Sequence, residues 1–155
     1  MLSNIAYEPS RENLLGAVGI ANMMTRPGDT SAAVGDGDLA VVSTSFLVRL
    51  MDGASHTAIS EYLAMNETSI TTQCEFRIEN VIGIGIELNA TATVVALDES
   101  DGRELLVFDC DIYHGAMRVA HGMVQREIVE KMRYAAKVAA LAVLAQDSES
   151  ESERG

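Results

Sequence analysis

Two periodicities divide this chain. From residue 46 to residue 62 apolar side chains return every three to four positions, and Phe46, Leu47, Leu50, Met51, Ala54, Ala58 and Tyr62 fall on one face of a helical wheel. Arg49, Asp52, Gly53, His56 and Ser60 fall on the opposite stripe. Ser43 or Thr44 is placed to cap the first turn, because a hydroxyl there accepts an orphan backbone amide. Beyond Asn66-Glu67-Thr68 the pattern changes to strict alternation, the signature of half-buried strands, over Ser69–Ile78, Gly85–Leu97, Glu104–His114 and Met117–Val129. Asp101-Gly102 is a strong hairpin signal and His114-Gly115-Ala116 a weaker one. From Glu130 the pattern is helical again, with Ala135, Ala136, Val138, Ala139, Leu141, Ala142 and Leu144 forming an apolar stripe.

The flanks are less regular. Residues 1–26 are poorly patterned, with Pro9 and Gly16-Ala17-Val18-Gly19 interrupting any helix. Arg26-Pro27-Gly28-Asp29 reads as a turn, Thr30–Val34 as a short strand, and Leu39–Val42 as the lead into the helix. Asp147 to Gly155 is low-complexity and acidic, the composition of a disordered tail. The expected layout is a poorly patterned segment 1–28, a domain over 29–146 that includes the C-terminal helix, and an acidic tail over 147–155. One helix followed by an antiparallel meander is the plan of an α+β hot-dog fold, a long central helix wrapped by the sheet. A sheet of this length leaves edges that need cover, and a two-fold homodimer is the expected solution.

Composition narrows the function. The net charge of −12, with only two lysines, Lys131 and Lys137, disfavours nucleic acid and anionic membranes as partners. No apolar run is long enough to cross a bilayer, and Leu14–Met24 lacks a basic leader, so a cytoplasmic location is expected. In such a compartment Cys74 and Cys110 are expected to be free structural thiols. His114 and His121 flank the second hairpin and are placed to face each other, but two imidazoles without a carboxylate or thiol make a poor metal site, so none is assigned.

The stretch from Asp29 to about Lys137 resembles the fluoroacetyl-CoA thioesterase-like branch of hot-dog thioesterases. The resemblance rests on Ala33-Val34-Gly35-Asp36-Gly37-Asp38-Leu39, on Val42 through Ala54, on Gly85, on Asp101-Gly102-Arg103-Glu104-Leu105, and on Gly122 through Arg126. It implies hydrolysis of a small acyl-CoA or carrier-bound thioester, with coenzyme A present only as part of the substrate and no other cofactor. The alternative is a non-hydrolytic acyl-CoA or small-ligand binder.

Carried over residue by residue, the family's catalytic threonine matches Thr44. Its glutamate matches Asp52, one methylene shorter. Its histidine falls on Ile78, or on Arg77 with a shift of one residue. The glycine that offers an amide to the thioester oxygen falls on Thr71. Of the late His-Glu-Arg run only the arginine survives, as Arg126, a candidate contact for a CoA phosphate or a carboxylate. Asp52 is thus the candidate base or nucleophile, oriented by Thr44. His56, one turn on, can meet Asp52 and either replace the missing histidine or form an ordinary surface pair, the reading favoured here.

Overall fold

The computed structural model describes residues 10–155. Residues 1–9, with Pro9, lie outside the described residues. The described chain runs β1 (Val18–Met24), α1 (Ser31–Val34), α2 (Thr44–Ile59), β2 (Glu67–Ile78), β3 (Glu87–Ser100), β4 (Arg103–His114), β5 (Met117–Glu130) and α3 (Lys131–Glu153). The strands form one antiparallel sheet in the order β1-β3-β4-β5-β2. It curls around α2.

Alternation explains the core. Leu88, Ala90, Ala92 and Val94 of β3 point inward, as do Leu106, Phe108, Cys110 and Ile112 of β4. They meet Phe46, Leu47, Leu50, Met51, Ala54 and Ala58, the helix face predicted from the wheel. Tyr62 packs against this core from a 3-10 turn just beyond α2. Ser43 is the cap, its Oγ accepting from the Phe46 amide at 3.1 Å, and Thr44 is the first helical residue. At the β3–β4 turn Asp101 and Gly102 both have positive φ, 53° and 73°, as a type I′ hairpin requires.

Three local expectations are corrected. The segment left as unpatterned contains β1, an edge strand paired with β3. Its place depends on Gly19, where a Cβ would collide with the Ala54 carbonyl and the Ala58 backbone. Ser31–Val34 is one helical turn, because Thr30 Oγ1 caps the Ala33 amide at 3.2 Å and Gly35 closes the turn at φ 86°. The acidic tail does not begin at Asp147: α3 continues to Glu153. Its Glu130 cap accepts from the amides of Met132 and Arg133, and the alanine-rich stretch after it propagates the helix. No helix among the described residues is long and apolar enough to cross a membrane.

Candidate active site

The edge strand β2 and its neighbour β5 carry an unusual cross-strand pair beneath α2. Thr71 lies opposite Arg126, next to a bulge that leaves Thr72 unpaired. Arg126 shares strand parity with Val124 and Ile128, so its side chain points inward, and the residue is 6% exposed. Burial of an arginine is costly unless its donors are satisfied. Here Nε donates to Ser69 Oγ at 2.8 Å and Nη2 to the Ser69 carbonyl at 3.1 Å. Nη1 donates to Asp52 Oδ1 at 2.5 Å, to Thr71 Oγ1 at 3.0 Å and to Ser55 Oγ at 3.2 Å. Burial lowers the guanidinium from its ordinary value, and the Asp52 charge opposes that shift.

Asp52 is held from two sides by one oxygen. Thr71 Oγ1 donates to Oδ1 at 2.5 Å, and Arg126 donates to the same atom. Oδ2 has no hydrogen bond to the described residues, and the carboxylate is 38% exposed. A negative group fixed at one oxygen and open at the other is suited to take a proton or to attack. Cys74, nearby on β2, is raised from its ordinary value by burial and then by the charge of Asp52, which keeps the thiol protonated and inert. Burial pushes Cys110 up to about 12.

The structure therefore unites Asp52, Thr71 and Arg126, and separates them from Thr44 and Ile78. Asp52 lies eight positions beyond Thr44 along α2, a rise of roughly 12 Å. Asp52 is oriented by Thr71 and Arg126 of the same chain, in place of Thr44. Thr44 and Ile78 line a small cavity of about 140 Å³ with Val41, Leu47 and Val119, and none of its walls is ionisable. Arg77, the alternative to Ile78, pairs with His121 and by alternation projects from the other face of the sheet. Arg126, a candidate contact for a CoA phosphate or a carboxylate, meets the carboxylate of Asp52.

The favoured Asp52–His56 pair does not form: the ion pair of Asp52 among the described residues is with Arg126, and His56 is exposed. His114 and His121 do not face each other either. His114 Nδ1 lies 2.9 Å from the Glu87 carbonyl, and His121 Nδ1 lies 2.8 Å from Asp111. Asp109, Asp111 and His121 gather their ligating atoms within 4.8 Å of one another, so His121 does have carboxylate neighbours. Arg118 stands 3.5 Å from the same Asp111 oxygen and already balances that charge. Sequence reasoning missed Ser55 and Ser69, which support Arg126. Their only local signal was a small polar residue on each element's buried face.

The fluoroacetyl-CoA-specific thioesterase (FlK) family model matches residues 26–132. No curated protein matches the sequence. Among solved structures, a thioesterase-superfamily member from Thermus thermophilus is similar with a TM-score of 0.77 at 17% identity, covering 86% of this chain and 96% of that one. A variant of the fluoroacetyl-CoA thioesterase FlK in complex with acetyl-CoA is similar with a TM-score of 0.73 at 19% identity, covering 81% and 96%. A Haemophilus influenzae thioesterase gives 0.60 at 15% identity, covering 74% and 73%. The α+β hot-dog fold is thus shared with these proteins, and with the family match spanning more than half of its length, the chain belongs to the fluoroacetyl-CoA-specific thioesterase family.

Proposed function

We propose that Asp52, clamped by Arg126 and Thr71, carries in this chain the acyl-CoA thioester hydrolysis of its family. The substrate is a small acyl group on CoA or a carrier. One observation carries this reading: the two donors hold a single carboxylate oxygen and leave Oδ2 open on a partly exposed side chain. In the reaction Oδ2 takes a proton from water as the water oxygen bonds to the acyl carbon. The C–S bond then breaks, and the proton passes from Asp52 to the departing sulfur. Free acid and thiol are the products. The backbone at Thr71 is assigned to the thioester oxygen. The Thr44–Ile78 cavity is assigned to an apolar part of the substrate, its walls being uncharged.

A homodimer through the edge of β2 is part of the same reading. Thr71, Thr72 and Gln73 are exposed along that edge. A second protomer there would cover the open side of Asp52 and exclude bulk water, which strengthens the electrostatics of the site. Cytoplasmic residence is supported by the two free cysteines. The reaction uses no cofactor other than the CoA of the substrate.

The test is thiol release from a panel of short and aryl acyl-CoA substrates, with Asp52→Asn run in parallel. Asn keeps an oxygen for Arg126 and Thr71 but cannot accept the proton. Turnover should fall by about 100-fold or more, the usual range for loss of a general base, with acyl-CoA binding retained. Wild-type rates in Asp52→Asn would overturn the role of Asp52. Acyl-CoA binding by the wild type with no thiol release would replace hydrolysis with the non-hydrolytic reading.

A further inference from the structure

Helix α3 is the part of the molecule that its own fold leaves uncovered. It spans 23 residues, roughly 34 Å, and none of them is buried. Val138, Leu141, Val143 and Leu144 are 51%, 55%, 58% and 64% exposed. From Val138 to Ala145 the helix is apolar on every side, a pattern found where a helix is enclosed. Nearly all of α3 lies beyond the family match, which ends at residue 132. It therefore lies almost wholly outside the family match and outside the residues assigned to the thioester.

Its charges say what covers it. Lys131, Arg133 and Lys137 occupy the first turns, Asp147, Glu149, Glu151 and Glu153 the last turns, and the apolar stretch separates them. A helix that is basic at one end and acidic at the other is complementary to a copy of itself laid antiparallel. At about 100° per residue Arg133, Lys137, Ala140, Leu144, Asp147 and Glu151 share one face of α3, and a two-fold axis beside that face at the level of Ala142 sets Lys137 opposite Asp147, Arg133 opposite Glu151 and Ala140 opposite Leu144. The parallel arrangement stacks like charges along the whole pair. The antiparallel pair also opposes the helix dipoles favourably, and the small Ala140 on the paired face lets the backbones approach. We propose that α3 is a self-association element that pairs antiparallel with α3 of a second copy of this chain. This pairing is independent of the acyl site and of the β2 edge.

Disulfide trapping on the full chain tests it. An equimolar mixture of Ala140→Cys and Leu144→Cys should link under mild oxidation and yield a covalent dimer on a non-reducing gel. Ser150→Cys should not, since antiparallel geometry sets the two thiols roughly 24 Å apart along the axis. Wild type, with Cys74 and Cys110, sets the background. Lys137→Glu carried by both cysteine variants should reduce this link several-fold, and adding Asp147→Lys to both should restore it. Absence of a link above background in the mixture of Ala140→Cys and Leu144→Cys overturns the proposal. Equal linking in Ser150→Cys overturns the antiparallel register. Loss in the charge-reversed variant that the second reversal does not restore overturns the electrostatic basis. Circular dichroism of each variant confirms that α3 is still helical, and thiol release serves as the independent readout of the acyl site.

Discussion

Nη1 of Arg126 and Oδ1 of Asp52 lie 2.5 Å apart, joining the third turn of the central helix to the strand next to the sheet edge across 74 residues of sequence. The arginine is nearly enclosed and the carboxylate partly open. The pair therefore has a fixed inner member and a reactive outer one. Arg126 acts through Asp52 as a positioning residue.

Replacing Arg126 by Met should separate these roles. The volume is kept, but Ser69 and Thr71 lose a donor and Asp52 its anchor. Stability should drop by about 1.5–3 kcal/mol, the range for hydrogen bonds to a charged group, measured by urea denaturation. The value of kcat should fall more than KM rises. Arg126→Lys restores charge without the planar fork, so it should recover part of the stability and little of kcat. Equal loss of kcat in Arg126→Lys and in an unrelated destabilised core variant would leave Arg126 a purely structural role.

The start of α2 offers a cleaner separation. Ser43, and not Thr44, caps the helix. Ser43→Ala should cost about 1 kcal/mol in thermal or chemical denaturation. Thr44→Ala should change stability by less than about 0.5 kcal/mol, as surface substitutions do. A fall in turnover in Thr44→Ala at unchanged stability would assign its hydroxyl to the substrate.

Gly19 is the contact between β1 and α2. A Cβ at this position meets the Ala54 carbonyl and the Ala58 backbone, including Ala58 Cα at 2.8 Å, and backbone cannot yield as a side-chain tip can. Gly19→Ala should destabilise by about 1–3 kcal/mol or more through overpacking, read as a lowered urea midpoint. Gly53→Ala, with open space around the added atom, should be neutral or stabilising by up to about 1 kcal/mol.

Acid stability should depend on Arg11. Its guanidinium bonds both oxygens of Glu67, at 3.1 and 2.7 Å, and also reaches Glu104. The Arg11 hydrogen bond is the main cause holding Glu67 below the ordinary glutamate value. A carboxylate lowered in the folded state contributes stability that is complete above its unfolded value and is lost as pH falls through the folded one. Glu67→Gln should therefore be less stable than wild type at pH 7. The gap should close as pH falls below the ordinary carboxylate range, in urea titrations at stepped pH. A gap independent of pH would remove the ion pair as its cause.

Much of the site was legible residue by residue, and its assembly was not. The helix wheel placed Asp52 on the polar stripe, and the resemblance selected Thr71 and Arg126, yet nothing local joined the three. Arg126 shares parity with the buried Val124 and Ile128, a signal that it points inward. What it meets there depends on β2 lying beside β5 in the register that sets Thr71 opposite it. His56 looked like the natural partner of Asp52 because only neighbours on one helix are visible in a sequence.

By itself the sequence determined the switch from helical to alternating periodicity, the buried face of α2, and the turn at Asp101-Gly102. Each of these is decided by side-chain spacing or by local φ preferences, over a few residues. Only the tertiary structure decided that β1 joins the sheet, that α3 stands clear of the core, and that one oxygen of Asp52 is clamped by Thr71 and Arg126. Those outcomes rest on contacts between distant segments, where close approach at Gly19 and burial of a charge select one arrangement that no local pattern records.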